Sequence, residues 1–289
     1  MTQWTHHATA HRSTLGWTIS LRGRAWIATA ATLLAIGLFW LLHRRIDAGL
    51  GHASVYSGAS LLASLLMLVL IGARKRLIVL PLWSVSCWLQ IHIYTGLFAT
   101  AVFVVHVPKI VANGWFEGGL SWLFLAVSAS GFYGLFASRA IPRRLTAISI
   151  QPRYDRIAWH RAQYLANASA VFDQLDQSSD ATVLSQFYRR VLQGFFTGGI
   201  PLRQLIWPSL QRRSRVLAEL GDLRRYLGGQ SLQAADRLAA LVRQRDELDY
   251  HHALQFRLRA WVTAHAALSC VLVLWSLVHA VLALSMLGD

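Results

Sequence analysis

The chain has 289 residues, of which 55% are hydrophobic and 14% charged, and its formal net charge is +15. Soluble domains carry about 25% charged residues, so this composition indicates a membrane protein with one polar section. A net charge of this sign also suits nucleic-acid binding. However, no recognition module is present and the arginines flank apolar runs, as the positive-inside rule predicts; we expect no nucleic-acid partner. The two cysteines form no CxxCH motif, and the sequence contains neither a glycine-rich dinucleotide fingerprint nor a Walker loop.

Five apolar stretches are long enough to cross a hydrocarbon core, which takes roughly 20 residues of helix. They cover residues 24–43, 53–73, 84–107, 119–138 and 260–286. The first lacks a convincing cleavage site and is followed by Arg44 and Arg45, so we interpret it as an uncleaved anchor rather than a signal peptide. The sequence therefore predicts an all-α integral membrane bundle with about five transmembrane helices.

A polar insertion separates the fourth and fifth spans. Its apolar residues recur at three- and four-residue spacing, which predicts helices, and the last of these should continue into the membrane from about Ser231 to Leu284. The segment from Arg139 to Arg259 holds 19 of the 28 lysines and arginines, which favours a cytoplasmic insertion and a cytoplasmic N-terminus. The expected location is a bacterial inner membrane. The predicted divisions are a cytoplasmic tail (1–23), four transmembrane helices (24–139), a cytoplasmic helical insertion (140–259) and a fifth transmembrane helix (260–289).

Four histidines lie within the apolar spans at matched spacing. His92 and His106 are fourteen residues apart in the third span, and so are His265 and His279 in the fifth. A helix rises about 1.5 Å and turns about 100° per residue, so each pair is separated by roughly 21 Å and shares one face. In the predicted orientation His92 and His265 lie at cytoplasmic depth, and His106 and His279 at outer depth. Because neutral imidazole is the usual axial ligand of haem iron, the spacing predicts two bis-histidine haem b groups.

Two other classes of protein remain open. A lone histidine in a membrane helix more often hydrogen-bonds to a neighbouring helix, so the chain is alternatively a haem-free membrane anchor or assembly subunit. A histidine-lined metal or proton transporter is the third reading. Such a transporter should carry intramembrane carboxylates, and the apolar spans contain no Asp or Glu.

Several further residues are candidates for contact with the cofactor. Gly96 in the third span and Gly131 in the fourth would let a flat macrocycle approach the backbone, although small residues also serve ordinary helix packing in membranes. Arg139, Arg257 and Arg259 lie at the predicted cytoplasmic ends of spans. They would pair with haem propionates, or simply anchor helix ends among lipid headgroups.

The H-x13-H pair on each of two helices resembles the transmembrane domain of ferric reductases and NADPH oxidases, and that of bacterial di-haem cytochrome b subunits. The resemblance covers mainly residues 84–138 and 255–287. It implies electron transfer across the membrane through stacked haems, held by the inner and outer histidine pairs. The insertion departs from the reductase pattern, and no flavin or nicotinamide domain follows the last span in this sequence. We therefore expect a subunit of a larger complex, linking a quinone pool to a partner such as a periplasmic c-type or multihaem cytochrome.

Overall fold

The computed structural model describes residues 21–49, 51–73, 85–107, 109–146, 154–175, 179–208 and 211–286. Within these ranges the chain is almost entirely helical and contains no strand, so the predicted all-α class is confirmed. The N-terminal tail up to residue 20 lies outside the described residues. So does the loop 74–84 between the second and third spans, which contains Arg74, Lys75 and Arg76.

Ten α-helices of four residues or more account for nearly all of the described chain. They are α1 (Leu21–Ala48), α2 (Ala53–Ala73), α3 (Val85–His106), α4 (Trp115–Thr146), α5 (Ile157–Asp173), α6 (Ser179–Phe187), α7 (Gln193–Thr197), α8 (Leu202–Ile206), α9 (Gln211–Leu223) and α10 (Gly229–Ser285). Five of them, α1 to α4 and α10, are long and apolar enough to cross a membrane. These helices expose large apolar side chains, including Trp26 at 76% and Leu34 at 74%, as is suited to contact with lipid. The chain is thus a multi-pass membrane protein by the length and composition of its helices.

Two helices, α1 and α4, extend beyond their predicted spans at both ends. α1 continues through the arginines that follow the first apolar run and ends at Ala48, and α4 begins at Trp115 and continues through Pro142 to Thr146. Arginine has a high helix propensity, so a helix can continue where the apolar run that defines the span has stopped. α10 is a single helix of 57 residues, as the sequence predicts.

The first of two compact units comprises Met1–Leu125 and Cys270–Asp289. Within it, α3 packs against both α1 and α2 more extensively than those two helices pack against each other. Phe103 of α3 stacks on Phe124 of α4 with ring centroids 4.1 Å apart. A cavity of about 910 Å³ lies between α1, α2 and α3. These contacts hold α3, which carries two of the candidate histidines.

The second compact unit is Ala126–Ser269, which combines the predicted insertion with the adjoining ends of the fourth and fifth spans. The short helices pack around the N-terminal half of α10. Their core includes Leu184, Leu192, Leu238 and Val242, none of which has any exposed surface. The insertion therefore has a substantial hydrophobic core of its own.

A buried ionic cluster fixes α10 within this second unit. Arg245 is 1% exposed and pairs with Asp249 one turn further along the helix. Arg161 of α5 also reaches Asp249, with 3.4 Å between its Nε and Oδ1. Both guanidinium groups donate to the carbonyl oxygen of Gly198, at 3.2 Å from Arg245 and 3.4 Å from Arg161. Because an unpaired buried charge is strongly destabilising, this cluster favours one register of α10, the helix that carries the other two candidate histidines.

Candidate functional site

Helices α3 and α10 carry the four predicted histidines, and all four side chains are half-buried. His106 and His279 belong to the first compact unit. The imidazoles of His279 and His43 both lie within electrostatic range of the His106 ring. His43 lies near the end of α1, and its position in the sequence predicts no role for it. His92 belongs to the first unit and His265 to the second, and their pairing stays a prediction.

The His106 ring is held by a serine of the neighbouring helix α2. Ser57 Oγ lies 2.9 Å from His106 Nδ1, and the same hydroxyl donates to the carbonyl oxygen of Ser54 at 3.0 Å. A hydroxyl has one proton to donate, and Ser57 can give it to Ser54 or to Nδ1. When Ser54 receives it, Nδ1–H of His106 donates to Ser57 Oγ, and Nε2 keeps a lone pair. Metal ligation requires such a lone pair.

His265 of α10 likewise lies beside a serine of a neighbouring helix, in this case α4. Ser130 Oγ lies 3.1 Å from His265 Nδ1. The indole of Trp261, one turn earlier on α10, stacks on the imidazole with 5.7 Å between ring centroids. Its Nε1–H is shared between the carbonyl oxygen of Ser130 at 2.9 Å and Oγ at 3.2 Å. Gly131 faces the same ring, since a Cβ placed there would lie 3.8 Å from His265 Cε1.

Glycines of α4 make room for two tryptophans of α10. A Cβ at Gly134 would overlap the ring of Trp261, and one at Gly119 would lie 2.8 Å from Cη2 of Trp275. Each of these tryptophans precedes a candidate ligand by four residues. The sequence contains this W-x3-H pattern three times, as Trp88–His92, Trp261–His265 and Trp275–His279. Trp261 packs directly on His265, and the repeated spacing predicts the same contact for the other two pairs.

The three candidate arginines have different surroundings. Arg257 donates to the hydroxyl of Tyr133 at 3.1 Å, and the guanidinium of Arg259 lies 4.0 Å from the ring centroid of Tyr154. Arg139 is exposed on α4. The two recorded contacts are with aromatic residues of the same unit, and pairing of any of the three with haem propionates stays a prediction.

The donor set fits a haem held by two imidazoles. Within the described part of the chain, no group of three or more His, Cys, Asp or Glu side chains could hold a metal ion. His106 offers the lone pair of Nε2, and a second imidazole lies within electrostatic range. A Cβ at Gly96, on the same helix, would meet no described atom within 4 Å, which leaves space for a flat group.

The fold and the composition of its helices define the class, an all-α multi-pass membrane protein. No protein-family model, curated protein or solved structure matches the chain. The function of the histidines must therefore be inferred from their spacing and their contacts.

Proposed function

We propose that the chain is a di-haem b-type cytochrome subunit that carries electrons across a membrane. The observation that carries the proposal is the state of His106. Its Nδ1 lies 2.9 Å from Ser57 Oγ, which leaves Nε2 for iron when Nδ1 carries the proton, and His279 lies close enough to interact with it electrostatically. The same fourteen-residue spacing on both helices extends the proposal to a second pair, His92 and His265.

Bound haem iron supplies the one-electron redox chemistry at such a site. The residues of the chain supply the ligands and set the ring orientations, since hydrogen bonds to Nδ1 and aromatic packing limit rotation of an imidazole. At the outer pair, Phe116 packs edge-on against Trp275 at 5.7 Å and lies 6.3 Å from the His279 ring centroid. Phe116 thus places an apolar ring beside the proposed ligand His279.

The proposed setting is a bacterial inner membrane, with the N-terminus and the helical insertion in the cytoplasm. Its support is the charge distribution, since the segment Arg139–Arg259 holds 19 of the 28 lysines and arginines. We propose a quinone pool and a partner redox protein, such as a periplasmic c-type or multihaem cytochrome, as the two electron-exchange partners. The chain would then work as one subunit of a larger complex.

The deciding measurement is a reduced-minus-oxidised spectrum of the purified protein with a pyridine haemochrome count. We expect two haem b groups per chain. His92→Ala and His265→Ala should each remove one haem, while His106→Ala and His279→Ala should each remove the other. His160→Ala, in α5, is the matched control and should retain both.

His43 provides the sharpest internal control, because it also lies within electrostatic range of His106. If His106 pairs with His279, His43→Ala keeps both haems. Loss of a haem in His43→Ala, with none lost in His279→Ala, would show that His106 pairs with His43 rather than with His279.

A haem-free membrane anchor is the second candidate function. The observation in its favour is that His106 and His265 each make a hydrogen bond to a serine on another helix, which is how such an anchor would use them. It predicts a colourless, well-folded protein. Well-folded protein without haem would therefore overturn the cytochrome proposal in favour of this one.

A further inference from the structure

Two Ser-Gly dipeptides contact candidate haem ligands in the same way. Ser57 and Gly58 lie on α2 and face His106 on α3; Ser130 and Gly131 lie on α4 and face His265 on α10. In each case the serine hydroxyl is at hydrogen-bond distance from Nδ1, and the following glycine faces Cε1 of the same ring. Each contact lies within a single compact unit. The arrangement therefore occurs twice, with residues far apart in the sequence.

Other serines in the spans behave differently. Ser60 and Ser64 donate to carbonyl oxygens one turn earlier on α2, each at 2.8 Å, and Ser138 donates to Leu135 on α4 at 3.4 Å. Bonds of this kind, to the backbone of the same helix, are the usual state of serine in a helix. Ser57 and Ser130 differ because their hydroxyls reach an imidazole on another helix.

The hydroxyls of Ser57 and Ser130 can both accept a proton from Nδ1. Ser57 accepts when its own proton is donated to the carbonyl oxygen of Ser54. Ser130 Oγ receives the indole N–H of Trp261, and a hydroxyl oxygen has two lone pairs, so one remains for Nδ1–H of His265. Acceptance from Nδ1 fixes Nε2 as the coordinating nitrogen and strengthens it as an electron donor.

The two glycines differ in how closely the ring approaches. A Cβ at Gly58 would lie 3.1 Å from Cε1 and 3.6 Å from Nε2 of His106, so the ring would have to move. A Cβ at Gly131 would lie 3.8 Å from Cε1 of His265, which is ordinary van der Waals contact. A methyl group at position 58 would require the His106 ring to shift by a few tenths of an ångström, whereas position 131 accommodates one without a shift.

We propose that Ser57 and Ser130 are positioning residues, one for each haem, which orient His106 and His265 and direct Nε2 of each ring to iron, with Gly58 providing the space for the His106 ring. The inference rests on the proposed function, because it assigns a role toward a haem. It adds to that function two residues on helices α2 and α4, which carry no ligand themselves.

The test compares redox titrations and low-spin ferric EPR spectra of the purified holoprotein and its variants. Ser57→Ala should raise the midpoint potential and change the g-values only of the haem that His106→Ala removes. Ser130→Ala should do the same only for the haem that His265→Ala removes. Potentials should rise because an imidazole that has lost its Nδ1–H acceptor is a weaker donor to ferric iron.

The matched controls are chosen from the same helices. Ser60→Ala on α2 and Ser138→Ala on α4 also remove a hydroxyl, but should leave both potentials unchanged. Ser57→Thr keeps the hydroxyl and should restore the potential and g-values toward those of the wild type. A general loss of packing would not separate these variants in this way.

The glycine variants supply a second test that does not depend on removing a hydroxyl. Gly58→Ala should lower the occupancy or shift the spectrum of the outer haem, and Gly131→Ala should change the inner haem little. Two haems with unchanged potentials and spectra in both serine-to-alanine variants would overturn the inference alone. A wild-type protein without haem would overturn the proposed function and this inference with it.

Discussion

Trp261 occupies a space that is open because residue 134 is glycine. Its indole stacks on His265, and its N–H is shared by two oxygens of Ser130. Because Gly134 has no side chain, Trp261 can pack on the His265 imidazole, and Ser130 contacts the same ring. Trp275 of α10 likewise fits into the space left by the absent side chain of Gly119 of α4, about four turns away along both helices. The closeness of approach between these helices depends on small residues, as is common in membranes.

Gly134→Ala should destabilise the protein, because the added methyl group would overlap the Trp261 ring. Overpacking of this kind costs about 1–3 kcal/mol, against a gain of up to about 1 kcal/mol from replacing glycine by alanine in a helix. The measurement is the thermal unfolding midpoint in detergent, which should fall. Gly37→Ala is the control, since a Cβ there would meet no described atom within 4 Å; its midpoint should stay or rise. A midpoint in Gly134→Ala equal to that of the control would contradict this account of the Trp261 contact.

The sequence alone was sufficient to select the four histidines as the unusual residues of the spans, because polar side chains are rare in apolar helices. It was not sufficient to select Ser57 and Ser130. Serine is common in membrane helices, and its role depends on how two helices are rotated about their own axes. In a membrane both the lipid-facing and the buried side of a helix are apolar, so hydropathy does not determine that rotation. The Ser-Gly dipeptide and the W-x3-H spacing can be interpreted only once it is known which faces of the helices are in contact.

At the scale of whole helices, hydropathy located every span and missed some of the ends. α2 was predicted to the residue, because its apolar run stops abruptly on both sides. α4 is longer than predicted at both ends, since Trp115 begins the helix before the apolar run and the arginines after Ser138 continue it. The uninterrupted α10 could be predicted because glycine and proline, the residues that most disfavour a helix, are absent from its interior.

The continuity of α10 gives a prediction about its register. One alanine inserted between Leu272 and Val273 should turn everything after it by about 100°, which takes His279 away from the face that it shares with His265. The expected pyridine haemochrome count falls from two haems per chain to one. An alanine inserted between Leu284 and Ser285, beyond His279, is the control and should leave two. Retention of both haems in the first variant would show that the outer site does not depend on the register of α10.

At the scale of the molecule, the basic residues and the apolar helices together predict an orientation across the membrane. Large apolar side chains stay exposed along the span helices, where lipid can cover them. The chain between α4 and α10 is polar and rich in arginine, and it has a core of its own. Because arginines close to the ends of spans favour the cytoplasmic side, Arg143, Arg144 and Arg257 predict a cytoplasmic insertion and an α3–α4 loop on the opposite side.

Cysteine labelling tests that prediction in a background where the two native cysteines, Cys87 and Cys270, are replaced by alanine. Asn113→Cys lies in the exposed α3–α4 loop, and Tyr226→Cys replaces a side chain of the insertion that is 76% exposed. A membrane-impermeant maleimide added to intact spheroplasts should label position 113 and not position 226. Disruption of the membrane should make both reactive, which controls for accessibility within the protein. Labelling of position 226 in intact spheroplasts would reverse the proposed orientation and with it the assignment of His106 and His279 to the outer haem, while leaving the ligand pairs themselves unchanged.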